Sequence, residues 1–262
     1  MIWVRPLVII PTYNEAENIE RILHRIIESL PEAGVLVVDD GSPDGTGDIV
    51  KRVAAEVPDI HLIARPGKAG LGSAYRTGFA WGMENGYDVL IEMDADFSHD
   101  PGALPALVQP LREGYDVAIG SRYVKGGRVP NWARHRHLLS AGGNRYASLV
   151  LGLQVSDSTA GFRAYSADVL RRLDLDRIRA DGYGFQIEMT YRAKQHGARI
   201  KEVPITFIDR VAGESKMSSR IVFEALALVS WWGLGRAARG IRRVPDPRVV
   251  TPAVSGERVR SN

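Results

Sequence analysis

Five short runs in the first half of the chain, "PLVIIP" (6–11), "VLVVDD" (35–40), "IHLIA" (60–64), "DVLIEMD" (88–94) and "YDVAIGS" (115–121), are largely apolar throughout instead of alternating apolar with polar. A strand of that kind has both faces buried, as happens when helices cover both sides of a parallel sheet. The stretches between them, such as "EAENIERILHRIIESL" (15–30) and "GSAYRTGFAWGMENG" (72–86), carry the helical pattern that right-handed crossovers require. The expected fold class is therefore α/β, a mainly parallel sheet flanked by helices. In such sheets ligands sit beyond the carboxyl ends of the strands. Three of the runs end there in polar residues: "PTYNE" after the first, "DDGSPDGTGD" after the second and "DADFSHD" after the fourth. One edge of the sheet should be rich in loops and in acids.

Beyond residue 121 the pattern loosens. "GGRVPNWARHRHLLSAGGNRYASLVLG" (126–152) reads as a basic loop and a helix, "DSTAGFRAYSADVL" (157–170) as a turn and a short strand, and "ARIKEVPITFIDR" (198–210) as a late strand. These complete one domain over residues 1–240, whose last part, about 221–240, reads as an amphipathic helix. Residues 241–262 carry Pro, Arg and Ser without periodicity and read as a disordered tail. A chain of 262 residues, 45% hydrophobic and 25% charged, can bury a sizeable core. It has no cysteine, which excludes disulfides, thiolate metal sites and a cysteine nucleophile. A net charge of only +3 argues against a nucleic-acid partner, although arginines crowd residues 236–260. The N-terminal stretch lacks the long apolar region and cleavage site of a secretory signal. The stretch nearest to a membrane span, "IVFEALALVSWWGLG" (221–235), is shorter than the roughly 20 residues of a spanning helix and carries Glu224. The expected location is the cytoplasm.

Familiar nucleotide loops do not fit. No Gly-x-x-x-x-Gly-Lys-Ser/Thr occurs, "GKAGLGSAYRTG" (67–78) has its glycines in the wrong order, and "DGTGDIV" (44–50) fails as a dinucleotide fingerprint. Asp94, Asp96, Ser98 and Asp100 alternate as in a calcium loop, but His99 stands where glycine is required and Pro105 where glutamate closes the loop. The acids at 94, 96 and 100 repel one another, so a cation or donors should offset them. Two carboxylates separated by one residue can hold a hard divalent ion and leave positions for phosphate oxygens, as a nucleoside diphosphate would need. Acids at a strand end are equally common as solvated turn residues.

The strings "PTYNEAENI", "VVDDGSPDGT", "RPGKAGLGSAYRTGF", "MDADFSHDP", "GSRY", "AGFRAY", "GYGFQIEM" and "VPITFIDRVAGESKM" follow one another from about Leu7 to Met217. In this order they resemble the inverting family 2 glycosyltransferases and, within them, the polyprenol-phosphate (dolichol-phosphate) mannose synthases. The resemblance implies a GT-A fold, transfer of mannose from GDP-mannose to a polyprenol phosphate, and Mg²⁺ or Mn²⁺ as cofactor. By position it implies that Pro11, Tyr13, Glu15, Val38 and Asp40 hold guanine and ribose, with Asp39 the weaker candidate. Asp94 and Asp96, with Ala95 alongside, fall on the metal and diphosphate motif, and Ser98 falls where some members place a further metal ligand. Arg122, Arg136, Arg210 and Lys216 match phosphate-handling cations; a guanidinium can bind phosphate in bidentate fashion and a lysine supplies a point charge. Arg134 is a near neighbour without a matched role, and Arg163 reads equally as structural. Phe185, Gln186 and Glu188 sit on a segment that either shapes the sugar pocket or, for Phe185 and Met189, faces the core.

The implied acceptor is an anion near neutral pH, so its oxygen can attack the anomeric carbon without a catalytic base. Asp96, Arg122, Arg136, Arg210 and Lys216 would then act by stabilising charge. Ile221, Phe223, Leu226, Trp231 and Trp232 followed by Arg236, Arg239, Arg242 and Arg243 fit an interfacial helix on anionic lipid. A helix packed on its own domain fits the same pattern. The implied location is peripheral, on the cytoplasmic face of a membrane, with a separate integral membrane protein as a further partner. Two rival readings are a related transferase using UDP-glucose or another nucleotide sugar, and a silent membrane-partner scaffold. The scaffold would have lost the site residues, and they are present.

Overall fold

The computed structural model describes residues 4–130, 132–178, 180–209 and 225–234. The strands are β1 (Pro6–Thr12), β2 (Gly34–Asp39), β3 (Ile60–Ala64), β4 (Val89–Glu92), β5 (Val117–Ser121), β6 (Arg163–Ser166) and β7 (Ile200–Pro204). The α-helices between them are α1 (Ile19–Ser29), α2 (Thr46–Glu56), α3 (Leu71–Glu84), α4 (Leu104–Arg112), α5 (Arg134–Leu151), α6 (Ala167–Arg172) and α7 (Gly182–Gln195). All seven strands join one sheet in the order β3-β2-β1-β4-β6-β5-β7. Pairing is parallel except at β6, which runs antiparallel to β4 and β5. The α/β expectation and the strand positions are met, and the turn and short strand read at 157–170 become the one antiparallel insertion.

The continuous apolar runs have a direct cause. Leu7 and Ile9 of β1, with Leu36 and Val38 of β2, enter the core on the face covered by α3, α5 and α7. The alternate residues Val8, Ile10, Val35 and Val37 enter a second core on the face covered by α1, α2 and α4. Both residue sets are withdrawn from water, so neither can be polar. α1 shows the complementary helical pattern: Ile19, Ile22, Leu23 and Ile26 form its buried stripe.

Residues 225–234 are helical and lie against the first of these cores. Val229 is buried there with Ala225 and Trp232 packed around it. The Tyr146 hydroxyl of α5 is 2.8 Å from Ser230 Oγ, which joins the two helices. This is the described part of the helix expected over about 221–240; residues 221–224 and 235–262, the expected tail included, lie outside the described residues. Among the described residues no helix is long and apolar enough to cross a membrane.

Candidate active site

A cavity of about 610 Å³ opens at the carboxyl ends of β1, β2 and β4, where the sheet geometry placed it. Three walls can be distinguished by chemistry.

The first wall follows β1 and β2. Pro11, Tyr13, Glu15 and Asp40 line it, and Lys68 places its ammonium 4.8 Å from the centre of the Tyr13 ring. Asp40 is held by Arg65, whose Nε donates to Oδ1 at 2.6 Å while Nη1 donates to Ser73 Oγ at 2.9 Å. The neighbouring Asp39 has a different task. It accepts from Thr12 Oγ1 at 2.8 Å and from the Ser42 amide at 3.0 Å, tying the loops after β1 and β2 together. Val38 is fully buried in β2 and does not line the cavity.

The second wall is the segment after β4. Asp94, Ala95, Asp96 and Ser98 all line the cavity. The turn puts Phe97 in the left-handed region at φ 58°, and within it Asp96 Oδ1 accepts from the Ser98 amide at 3.0 Å. Tyr75 on α3 donates to Asp94 Oδ1 at 3.5 Å, and burial together with the nearby acids raises its ionisation well above the ordinary tyrosine range. It therefore stays a donor. Asp100 departs from expectation: it is exposed, does not line the cavity, and accepts from the Gly102 amide at 2.9 Å to cap the short turn at Pro101–Ala103. The acidic cluster is thus two residues at the cavity, not three. Behind it lies Glu92, fully buried. Burial pushes its carboxyl up to about 8, against the pull of the Arg163 guanidinium and the Gln186 amide, with Asp94 adding to the rise.

The third wall is basic and aromatic. Arg122 follows β5 directly and pairs with the buried Asp157 at 2.7 Å. Arg136, in the first turn of α5, donates from Nη1 to Asp209 at 2.7 Å and stacks over Trp132 at 4.1 Å, while Trp132 donates to the other oxygen of Asp209. Arg210 and Lys216 lie outside the described residues. Arg134 is exposed and does not line the cavity. Arg163 is structural: it is fully buried and donates to the carbonyls of Ala160, Ser158 and Gln186. On α7, Gln186 lines the cavity. Phe185 and Met189 belong to the core, and Glu188 pairs with Arg192 at 2.6 Å.

Lys68, Thr159, Asp181 and Tyr183 also line the cavity without having been singled out in the sequence. Lys68 lies in the glycine-rich stretch 67–78 directly after β3, a position that marks it as a candidate. Asp181 has no local signal: its carboxylate accepts from the Gly72 amide at 2.8 Å, across 109 residues of chain.

Among the described residues there is no group of three or more His, Asp or Glu side chains that could hold a metal ion. The pair Asp94 and Asp96 suits a different kind of site. Hard oxygen donors at alternate positions, both at the cavity wall, fit a divalent ion that takes its other ligands from water and from a bound diphosphate.

The family described as Glycosyl transferase family 2 matches the chain over residues 7–174. An undecaprenyl-phosphate mannosyltransferase of Micrococcus luteus is 53% identical over 239 residues, covering 91% of this chain and 98% of the relative. A polyprenol monophosphomannose synthase of Mycolicibacterium smegmatis is 50% identical over 243 residues, covering 91% of this chain and 92% of the relative. Among solved structures, a mannosyltransferase of Pyrobaculum calidifontis in complex with GDP-mannose and Mn²⁺ superposes with a TM-score of 0.57 at 21% identity, covering 94% of this chain and 67% of that one. At that identity the likeness concerns the fold.

Proposed function

The chain belongs to glycosyl transferase family 2, and from that premise we propose that it transfers mannose from GDP-mannose to the phosphate of a polyprenol, releasing GDP. One observation carries the reading: the carboxylates of Asp94 and Asp96 and the guanidiniums of Arg122 and Arg136 line a single cavity. Charge of both signs in one cleft suits a reaction that brings two phosphate-bearing substrates together. The names of the two relatives at 50% identity or more support a mannosyl donor and a lipid-phosphate acceptor.

Each wall has a task in this reading. Pro11, Tyr13, Glu15 and Asp40 hold the nucleoside, with Lys68 beside them. Asp94 and Asp96, with Ser98 beside them, would hold Mg²⁺ or Mn²⁺, which when bound neutralises charge on the diphosphate leaving group. Arg122 and Arg136 donate hydrogen bonds to phosphate oxygens where donor and acceptor meet. The acceptor oxygen is already anionic, so no side chain has to remove a proton. In-line attack opposite the diphosphate inverts the anomeric centre and gives a β-linked product from an α-linked donor. Arg210 and Lys216 complete the cationic set by their place in the sequence. The exposed apolar residues of α5 and of 225–234 would meet the membrane that carries the acceptor, a peripheral attachment on its cytoplasmic face, alone or through an integral membrane partner.

The test is radiolabelled GDP-mannose with membranes containing polyprenol phosphate. The wild type should form labelled lipid and release GDP, and Asp96→Asn should lower the rate by about 100-fold or more while the protein stays folded. Turnover of Asp96→Asn equal to wild type, or equal turnover in excess chelator, would remove the metal assignment. Labelled product from UDP-glucose in place of GDP-mannose would replace the donor.

A further inference from the structure

Asp157, in the turn before β6, is fully buried and aims both carboxylate oxygens at one residue. Its Oδ2 accepts from the Arg122 backbone amide at 3.0 Å and from Nε at 2.7 Å, and its Oδ1 accepts from Nη2 at 2.7 Å. Thr159 Oγ1 accepts from the same Nη2 at 2.9 Å. Nε and Nη2 are thereby both committed within the protein. Among the described residues no hydrogen bond is made by Nη1, and Arg122 lines the cavity. The turn is itself anchored. Glu202 of β7 accepts from the amides of Ser156 and Asp157 at 2.8 and 3.0 Å, and Asn144 of α5 accepts from the Thr159 amide at 3.1 Å.

An unconstrained arginine meets phosphate with two parallel N–H groups. At Arg122 the Nε–Nη2 edge that would do so is occupied by Asp157. We infer that Asp157 is a positioning residue, which turns Arg122 so that Nη1 alone is presented to a phosphate oxygen of the substrates. Arg122 then contributes a directed hydrogen bond from a buried, charge-balanced pair, and not a free unit of positive charge. Directed donors act most on the charge that develops in the transition state. Loss of the orientation should therefore fall on turnover more than on ground-state affinity.

This inference rests on the reading of the cavity as a site for phosphate-bearing substrates. The experiment is a double-mutant cycle on the full chain with Asp157→Asn and Arg122→Ala, reading kcat in the radiolabel assay, GDP affinity by calorimetry and the melting temperature. Asp157→Asn is expected to lower kcat about 10- to 100-fold, the loss usual when the hydrogen-bond partner of a ligand-holding side chain is removed, with GDP affinity changed far less. In the Arg122→Ala background the same substitution should change kcat by less than about twofold, because Asp157 has nothing left to orient. Losses that multiply, or a wild-type kcat in Asp157→Asn, overturn the positioning role. Should Asp157→Asn fail to fold, Thr159→Val replaces it in the cycle, since it keeps the Asp157 carboxylate and removes the hydroxyl that accepts from Arg122 Nη2 and from Asn144 Nδ2. Its loss of kcat must likewise vanish without Arg122, and a persisting loss, or none in either background, overturns the role. Arg122→Ala with wild-type turnover would refute the phosphate reading of Arg122 itself, whereas a slow Arg122→Ala beside a wild-type Asp157→Asn refutes only the part given to Asp157.

Discussion

Glu92 shows how one buried residue changes the electrostatics of its neighbours. Three acids fall within five positions at 92, 94 and 96, yet Glu92, its carboxyl pushed up to about 8 by burial, is neutral at pH 7 and, of the three, only Asp94 and Asp96 line the cavity. The cost appears in stability. Between the ordinary value of 4.5 and about 8 the unfolded chain releases this proton while the folded chain keeps it, so stability falls as pH rises through that window. The slope has a ceiling of about 1.4 kcal/mol per pH unit for a single group. Glu92→Gln keeps the shape and removes the titration. In metal-free buffer the variant should match the wild type near pH 4.5 and exceed it progressively toward pH 8, by roughly 1–3 kcal/mol after allowance for relaxation around a buried group. Denaturant melts at several pH values measure this, and parallel curves for the two proteins would contradict it. Asp39 and Asp40 make a related point without any titration. They are adjacent and both buried, but alternation along β2 sends one to the loop contacts and the other to the cavity.

Among the elements, α3 lies unusually close to the sheet. A Cβ built on Gly78 would stand 2.4 Å from Ile9 Cγ2, and one on Gly82 would stand 2.6 Å from Leu90 Cδ2. Alanine is the better helix former by about 1 kcal/mol, so an exposed Gly→Ala change in a helix should stabilise. Here the clash decides, since overpacking a filled core costs roughly 1–3 kcal/mol. Gly78→Ala should therefore lower the melting temperature by a few degrees, at roughly 2–4 °C per kcal/mol for a chain of this size, and a raised melting temperature would show that α3 is free to shift. Such packing explains what was legible in the sequence and what was not. The strands could be read because the requirement of two apolar faces leaves one local pattern, seen in Leu7 to Ile10 and Val35 to Val38. Asp94 and Asp96 could be read because both come from one strand end. Asp157 and Asp181 could not, because their partners Arg122 and Gly72 are 35 and 109 residues away and neither pairing leaves a trace in spacing. Asp100 shows the opposite case: it stands near Asp94 and Asp96 in sequence, but a contact two residues on makes it a cap, and the Gly102 amide is the donor that offsets its charge.

At the scale of the whole molecule, the proposed reaction requires the cavity to reach a lipid headgroup, and that reading gives the exposed apolar surface a task. Leu138 and Leu149 on α5 are 72% and 70% exposed, and Trp231 and Leu234 on the adjoining helical stretch are 73% and 69% exposed. Arg134 and Arg145 on α5 are exposed as well. Apolar side chains beside cations suit an interface with anionic lipid. The adjacent tryptophans separate this role from internal packing. Trp232 stacks on Tyr191 with ring centres 6.3 Å apart and supports the core, whereas Trp231 projects outward. Trp231→Ser should thus weaken sedimentation with phosphatidylglycerol vesicles several-fold and leave the melting temperature and GDP affinity at wild-type values, as each buried methylene lost from lipid is worth about 0.8 kcal/mol. Trp232→Ser should instead cost roughly 1–3 kcal/mol of stability, as truncation of an only partly buried packed aromatic does, and so lower the melting temperature by a few degrees. Added salt should weaken vesicle binding of the wild type by screening the arginines. If Trp231→Ser sediments with vesicles as the wild type does, the outward face of 225–234 is not what meets the membrane. If its melting temperature falls as far as that of Trp232→Ser, Trp231 is a packing residue and the assignment of its exposed face to lipid fails.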